Sequence, residues 1–122
     1  MEQVILIDTN VISRYFNDNL EEDLILLLET SNFKIFVITR IELLAWEKYN
    51  QNQLDIINDF ISNCEVIALD EKIILKTIEI RKKYKIKLPD AIIAASAIVF
   101  GATLISLDSD FKNIKGLQVI GN

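Results

Sequence analysis

The chain has 122 residues, room for one compact domain, and its 51% hydrophobic and 25% charged residues exclude a disordered polymer. It contains no histidine and one cysteine, which excludes Ser-His-Asp and Cys-His catalysis and the usual zinc sites. A net charge of −5, from 18 acids against 13 bases, argues against holding a polyanion by bulk charge.

The first strand is expected over residues 4–7, a short aliphatic run that ends in Asp8-Thr9-Asn10. A short helix over 11–16 follows, then a helix over 20–30 with Leu20, Leu24, Leu27 and Leu28 as its apolar stripe. Residues 34–38 read as a second strand. Thr39 opens a helical pattern through Ile41, Leu44, Ala45 and Tyr49, and another helix covers 54–63. A third short strand at 65–68 leads into an amphipathic helix over 71–83, with Ile74, Ile78 and Arg81 in register. Pro89 suits the first turn of a helix over 89–100 that is apolar almost all round and is stopped by Gly101. Strands at 103–107 and 117–120, with a helical turn around 110–114 between them, complete the chain. Strands alternating with helices across short connections predict a three-layer α/β fold with a mostly parallel sheet.

Cys64 lies in an apolar stretch and reads as a small core residue. With no second cysteine there is no intrachain disulfide, which suits a reducing compartment. The apolar run 91–100 is broken by Ser96 and is short for a membrane span, and the start of the chain does not resemble a secretory leader. The expectation is a cytoplasmic protein without membrane attachment.

In open parallel sheets, ligands bind beyond the carboxyl ends of the strands. Four acids fall at such places. Asp8 ends the first strand and Asp108 the fourth; Glu42 lies one helical turn beyond the second, and Asp90 opens the buried helix. Each also has a local explanation. Asp8 and Asp108 can cap the helical segments that follow them. Thr39-Arg40-Ile41-Glu42 matches a capping box. Asp90 favourably opposes a helix dipole.

Ile5-Leu6-Ile7-Asp8-Thr9-Asn10-Val11, Thr39-Arg40-Ile41-Glu42-Leu43, Pro89-Asp90-Ala91-Ile92-Ile93-Ala94-Ala95 and Ser106-Leu107-Asp108-Ser109-Asp110-Phe111 resemble, in order, the four motifs of the PIN domain. The likeness is greatest to the VapC-like toxin ribonucleases of bacterial toxin–antitoxin pairs. It implies that residues 1–122 form a single PIN domain, an α/β/α sandwich with strand order 3-2-1-4-5. It also implies a Mg²⁺- or Mn²⁺-dependent endoribonuclease, a small antitoxin partner and a homodimer. Asp8, Glu42, Asp90 and Asp108 would be the catalytic and metal-binding acids, with Asp8 and Asp90 as direct ligands. Asn10 would order Asp8, Ser106 stands where the family commonly has Thr, and Asp110 would act behind the ligands or as a cap. A catalytically silent PIN module that only binds RNA or protein is the competing reading.

The chemistry suits the residues. Several carboxylates in one cleft repel one another unless a cation joins them, and oxygen ligands alone suit Mg²⁺ or Mn²⁺. Such an ion activates water and neutralises charge developing on a phosphate. The acids need a basic counterweight, and residues 72–87 hold seven bases against Glu79 alone, a local +6. Lys82, Lys83, Lys85 and Lys87 run directly up to Asp90 as an RNA phosphate track, unless they are simply a solvated face, and Tyr84 among them can stack a base. Arg14 and Arg40 are further phosphate-contact candidates. A receiver domain would want its phosphoacceptor Asp after the third strand and a Lys where Asp108 stands, and a haloacid-dehalogenase-type phosphatase would want Asp at position 10, which is Asn.

Overall fold

The computed structural model describes residues 3–121. Five strands, β1 (Ile5–Ile7), β2 (Phe33–Phe36), β3 (Glu65–Ile67), β4 (Thr103–Ile105) and β5 (Gln118–Ile120), form one sheet in the order β3-β2-β1-β4-β5. All four pairings are parallel. The helices are α1 (Thr9–Phe16), α2 (Glu22–Thr30), α3 (Val37–Leu44), α4 (Gln51–Ser62), α5 (Glu71–Lys83) and α6 (Leu88–Phe100), with one 3₁₀ turn at Ser109–Phe111. The α/β layering and the strand order are those expected.

Parallel strands covered on both faces are built from continuous apolar runs, and the central strands follow that rule. Side chains alternate across the sheet. Leu6, Phe36 and Leu104 join a core with α5 and α6, whereas Ile5, Ile7, Ile35 and Ile105 join a second core with α1, α2 and α4. Helix α6 buries Ala91, Ile93, Ala94, Ala95, Ser96 and Ala97, so small residues let it lie close to its neighbours. Pro89 sits in its first turn, and Gly101 closes it at φ 63°, a left-handed conformation that glycine adopts without strain. Among the described residues, no helix is long and apolar enough to cross a membrane.

Two expectations are revised. The second strand stops at Phe36, its last residue paired with β3, and Val37 and Ile38 begin α3 despite their β-branched side chains. Thr39 therefore lies inside the first turn of α3, where it cannot cap, and the Thr39–Glu42 capping box does not form. A capping box does form at α4, between Asn50 and Gln53. On α5 the buried stripe is Ile73, Thr77 and Ile80, one residue before the row read from the sequence, and Ile74 and Ile78 are exposed. The terminal Lys-rich turn hides this register, because its lysines carry no apolar signal.

Tight packing around α6 gives a direct stability test. Ala95 is fully buried, so Ala95→Leu should lower the unfolding free energy by about 1–3 kcal/mol through overpacking. An unchanged denaturation midpoint would contradict the packing of α6 described here.

Candidate metal centre

The chain leaves β1 for β2 on one side and later returns to β4 on the other, so the crevice between the carboxyl ends of β1 and β4 is the topological switch point. Asp8 stands in it. Its N–H donates to the Ile105 carbonyl at 2.9 Å, extending the ladder one step beyond β1. The side chain is buried, with 5% of the residue exposed. Thr9 N–H donates to Asp8 Oδ1 and the Ser106 hydroxyl to Oδ2, both at 2.8 Å. Ser106 Oγ in turn accepts the Asp108 N–H at 3.0 Å, and Asp108 Oδ1 accepts the Asp110 N–H at 2.9 Å. Asp8 thus caps α1 and Asp108 caps the 3₁₀ turn. The local and the clustered readings of these acids hold together, because a cap uses only part of a carboxylate.

Asp90 lies in the first turn of α6, as its sequence position suggested. Asp90, Asp108 and Asp110 each bring a carboxylate oxygen to within 4.8 Å of the other two. Asp110 therefore stands among the clustered oxygens, although the sequence suggested a place behind them. The tight Asp108-Ser109-Asp110 turn carries it there. Asp8 is outside that triplet; each of its oxygens accepts one internal hydrogen bond and keeps a further lone pair. Glu42 is exposed on α3, and its Oε1 accepts the Thr9 hydroxyl at 2.7 Å. Asn10 was expected to order Asp8; its Oδ1 instead accepts the Leu107 N–H at 3.4 Å, tying α1 to the chain beyond β4. Arg14 and Arg40 are both exposed.

Thr9 and Thr39 were not read as site residues. Thr9 Oγ1 is 3.2 Å from Thr39 Oγ1, and Thr39 is fully buried. A hydroxyl next to Asp8 and another on the Glu42 face of the same helix were the available signs. The capping-box pattern masked the second.

The electrostatics are those of crowded carboxylates. Burial raises the Asp8 pKa, the Ser106 hydroxyl and the Thr9 amide pull it down, and the charges of Glu42 and Asp108 push it further up. Burial likewise lifts Asp90, and the charges of Asp108, Asp8, Asp110 and Glu42 add to it, taking the carboxyl from its ordinary 3.8 to about 6. An all-oxygen donor set with this much mutual repulsion fits a hard divalent ion such as Mg²⁺ or Mn²⁺. Cys64 is far less engaged: burial pushes its thiol pKa up, away from nucleophilic use.

The lysines divide. Lys85 and Lys87 line a cleft of about 520 Å³ with Arg81, Tyr84 and Asp110. Lys83 lines a separate cleft of about 320 Å³ with Lys76 and Lys115, and Lys82 lines neither. Tyr84 is held as a strut rather than left free, since its hydroxyl accepts the Lys115 N–H at 3.0 Å and the Lys83 ammonium lies 5.6 Å from its ring centre. On the other side of the crevice, an apolar groove of about 540 Å³ begins at Glu42 and runs past Phe16, Trp46, Tyr49 and Ile57.

Asp90 binds its proton more tightly in the folded than in the unfolded chain. The folded state therefore holds the extra proton between pH 3.8 and about 6, and stability from this group falls as pH rises through that window. Metal-free protein should lose stability across it, and Asp90→Asn should flatten the loss in melting curves taken at several pH values. A wild-type profile as flat as the variant's would contradict the crowding. Gly121 offers a second check. It has φ 113°, and a Cβ there would lie 2.6 Å from the Ser106 carbonyl oxygen. Gly121→Ala should then lower the melting temperature by displacing the strand end that carries Ser106; an unchanged melting temperature would show that the approach is not constraining.

The family model of the PIN domain matches residues 5–117. No curated protein matches the chain. Among solved structures, a toxin–antitoxin complex from Klebsiella pneumoniae contains a chain similar at 29% identity and a TM-score of 0.80, with 96% of each chain covered. VapBC2 from Rickettsia felis, bound to a DNA fragment from its promoter, contains one at 25% identity and a TM-score of 0.80, covering 97% of this chain and 98% of that one. DNA-bound VapBC from Salmonella typhimurium shares the fold at 24% identity, with a TM-score of 0.81 and 98% of each chain covered. The family match runs from the start of β1 past the turn that carries Asp108 and Asp110, and this chain belongs to the PIN domain family.

Proposed function

We propose that this protein is a single-domain, Mg²⁺- or Mn²⁺-dependent endoribonuclease and the toxin of a toxin–antitoxin pair. One observation carries the enzymatic reading: acids from the end of β1, from α6 and from the turn after β4 gather at the sheet's switch point, where burial and then their charges lift Asp90 to about 6. The toxin reading is supported by the neighbours, which come from toxin–antitoxin complexes.

In this reading, Asp8 and Asp90 would be direct ligands of the ion, with Asp108 and Asp110 completing the oxygen set. A divalent ion bound there would stabilise the phosphorane-like charge of the transition state and make an attacking water more acidic. Glu42, exposed at the crevice, orients that water. The water oxygen forms the new bond to phosphorus, the bond to the 3′-oxygen breaks, and a proton from the water passes to the leaving oxygen. The products are a 5′-phosphate and a 3′-hydroxyl. Ser106 keeps the Asp8 carboxylate and the Asp108 backbone in register, and Asn10 fixes α1 against the turn after β4.

RNA reaches the acids along the basic side. Lys85 and Lys87 are the strongest contributors, because their cleft also contains Asp110, while Lys82 and Lys83 act as more distant phosphate contacts. The antitoxin would lay an apolar segment in the groove that ends at Glu42 and bring an Arg to face the carboxylates. Two copies of the chain associate, as the resemblance implies, and the exposed Ile74, Leu75 and Ile78 of α5 supply apolar surface for that contact.

RNA cleavage should require Mg²⁺ or Mn²⁺ and stop in excess EDTA, and Asp90→Asn should abolish it while leaving the circular dichroism spectrum intact. Undiminished cleavage in EDTA, or full activity of the variant, overturns the mechanism. Changing Lys85 and Lys87 to Gln should lower the slope of log affinity against log salt by roughly 2, one unit for each lost phosphate contact. An unchanged slope would make this run a solvated face.

A further inference from the structure

Glu42 comes to the crevice from α3, apart from the other acids. It is exposed, on a helix surface where a glutamate ordinarily samples many rotamers, yet its Oε1 lies 2.7 Å from the Thr9 hydroxyl. That hydroxyl also lies 3.2 Å from Thr39 Oγ1. It has a single proton to give. An ionised carboxylate can only accept, so the Thr9 proton points to Glu42, and Thr9 accepts the proton of Thr39.

Thr39 makes this direction binding. It is fully buried on α3, one turn before Glu42 and on the same face. The other buried hydroxyls on helices turn back on their own helix: Thr77 donates to the Ile73 carbonyl and Ser96 to the Ile92 carbonyl, each at 2.7 Å. Thr39 is within reach of Thr9 instead, and a hydroxyl without water is almost always paired. Thr9 is itself fixed at the start of α1, where its N–H donates to Asp8 Oδ1 at 2.8 Å. One residue thus touches two acids of the crevice, Asp8 through its backbone and Glu42 through its side chain.

We infer that Thr9, oriented by Thr39, is a positioning residue that holds the Glu42 carboxylate over the acid cluster and couples its place to that of Asp8. The inference rests on the proposed nuclease reading for its consequence in catalysis, but the tether itself does not. Thr9→Val keeps the branched shape and removes the hydroxyl; Thr9→Ser keeps the hydroxyl.

The test is run on the intact chain. Side-chain ¹³C relaxation should show Glu42 ordered in the wild type and in Thr9→Ser, with an order parameter of about 0.8, and mobile in Thr9→Val, below about 0.6. In RNA cleavage, Thr9→Val should lower kcat on the order of ten- to a hundredfold with KM unchanged, and Thr9→Ser should restore it. Adding Thr9→Val to Glu42→Ala should cost nothing further, since the tether would have no acceptor to hold. If Thr9→Val fails to fold because Thr39 is left unpaired, the Thr9→Val, Thr39→Val pair carries the same measurements. Equal order of Glu42 in wild type and valine variant overturns the inference, as does a loss that adds fully to that of Glu42→Ala. A wild type that orders Glu42 but cuts no RNA would sink the nuclease reading and leave the tether standing.

Discussion

Crowded negative charge at the carboxyl edge of a buried parallel sheet is the constraint around which the rest of this protein is arranged. Asp8 is almost fully buried beside other acids, a position that costs free energy unless every oxygen is satisfied or a cation shares the charge. The fold meets the first condition with the Thr9 amide and the Ser106 hydroxyl. The mutual repulsion is left in place, since Asp90 remains lifted by burial and by its neighbours' charges. In the proposed reading this repulsion is what a bound cation would relieve.

The sheet supplies the rigidity that such crowding demands. β1 and β4 are wholly buried and paired in register from Ile5–Thr103 to Ile7–Ile105, so Asp8 and the Ser106–Asp108 segment leave adjacent strands at a fixed separation. Helix α6, packed through its alanines, brings Asp90 to the same edge from the third direction. Helix caps do double service here. The groups that end a strand or begin a turn are the same groups that form the acid cluster, which is why no long loop is needed to build it.

Much of this was legible in the sequence. The continuous aliphatic runs, the Pro89 and Gly101 boundaries and the strand–helix alternation gave the layers, and the acids at strand ends pointed to the crevice. The strand order rested on the motif resemblance, since periodicity alone does not say which strands are neighbours. What stayed hidden depended on register and on contacts between distant elements. Val37 and Ile38 look like strand but begin α3 where the pairing of β2 with β3 ends, at Phe36 and Ile67. Thr39 looked like a cap for Glu42, and only the approach of α1 to α3 turns both residues toward Thr9. Asp110 looked peripheral until the 3₁₀ turn folded it beside Asp108.

The central claim is that the acid cluster is a divalent-cation site. Its most direct measurement is the melting temperature of wild type and Asp90→Asn with and without Mn²⁺. Binding to the native state alone adds RT ln(1 + [L]/Kd), about 2.7 kcal/mol at a concentration of 100 Kd. The account predicts that Mn²⁺ raises the wild-type melting temperature and that Asp90→Asn, more stable without metal, gains much less. Equal shifts in both proteins, or none in either, would contradict it.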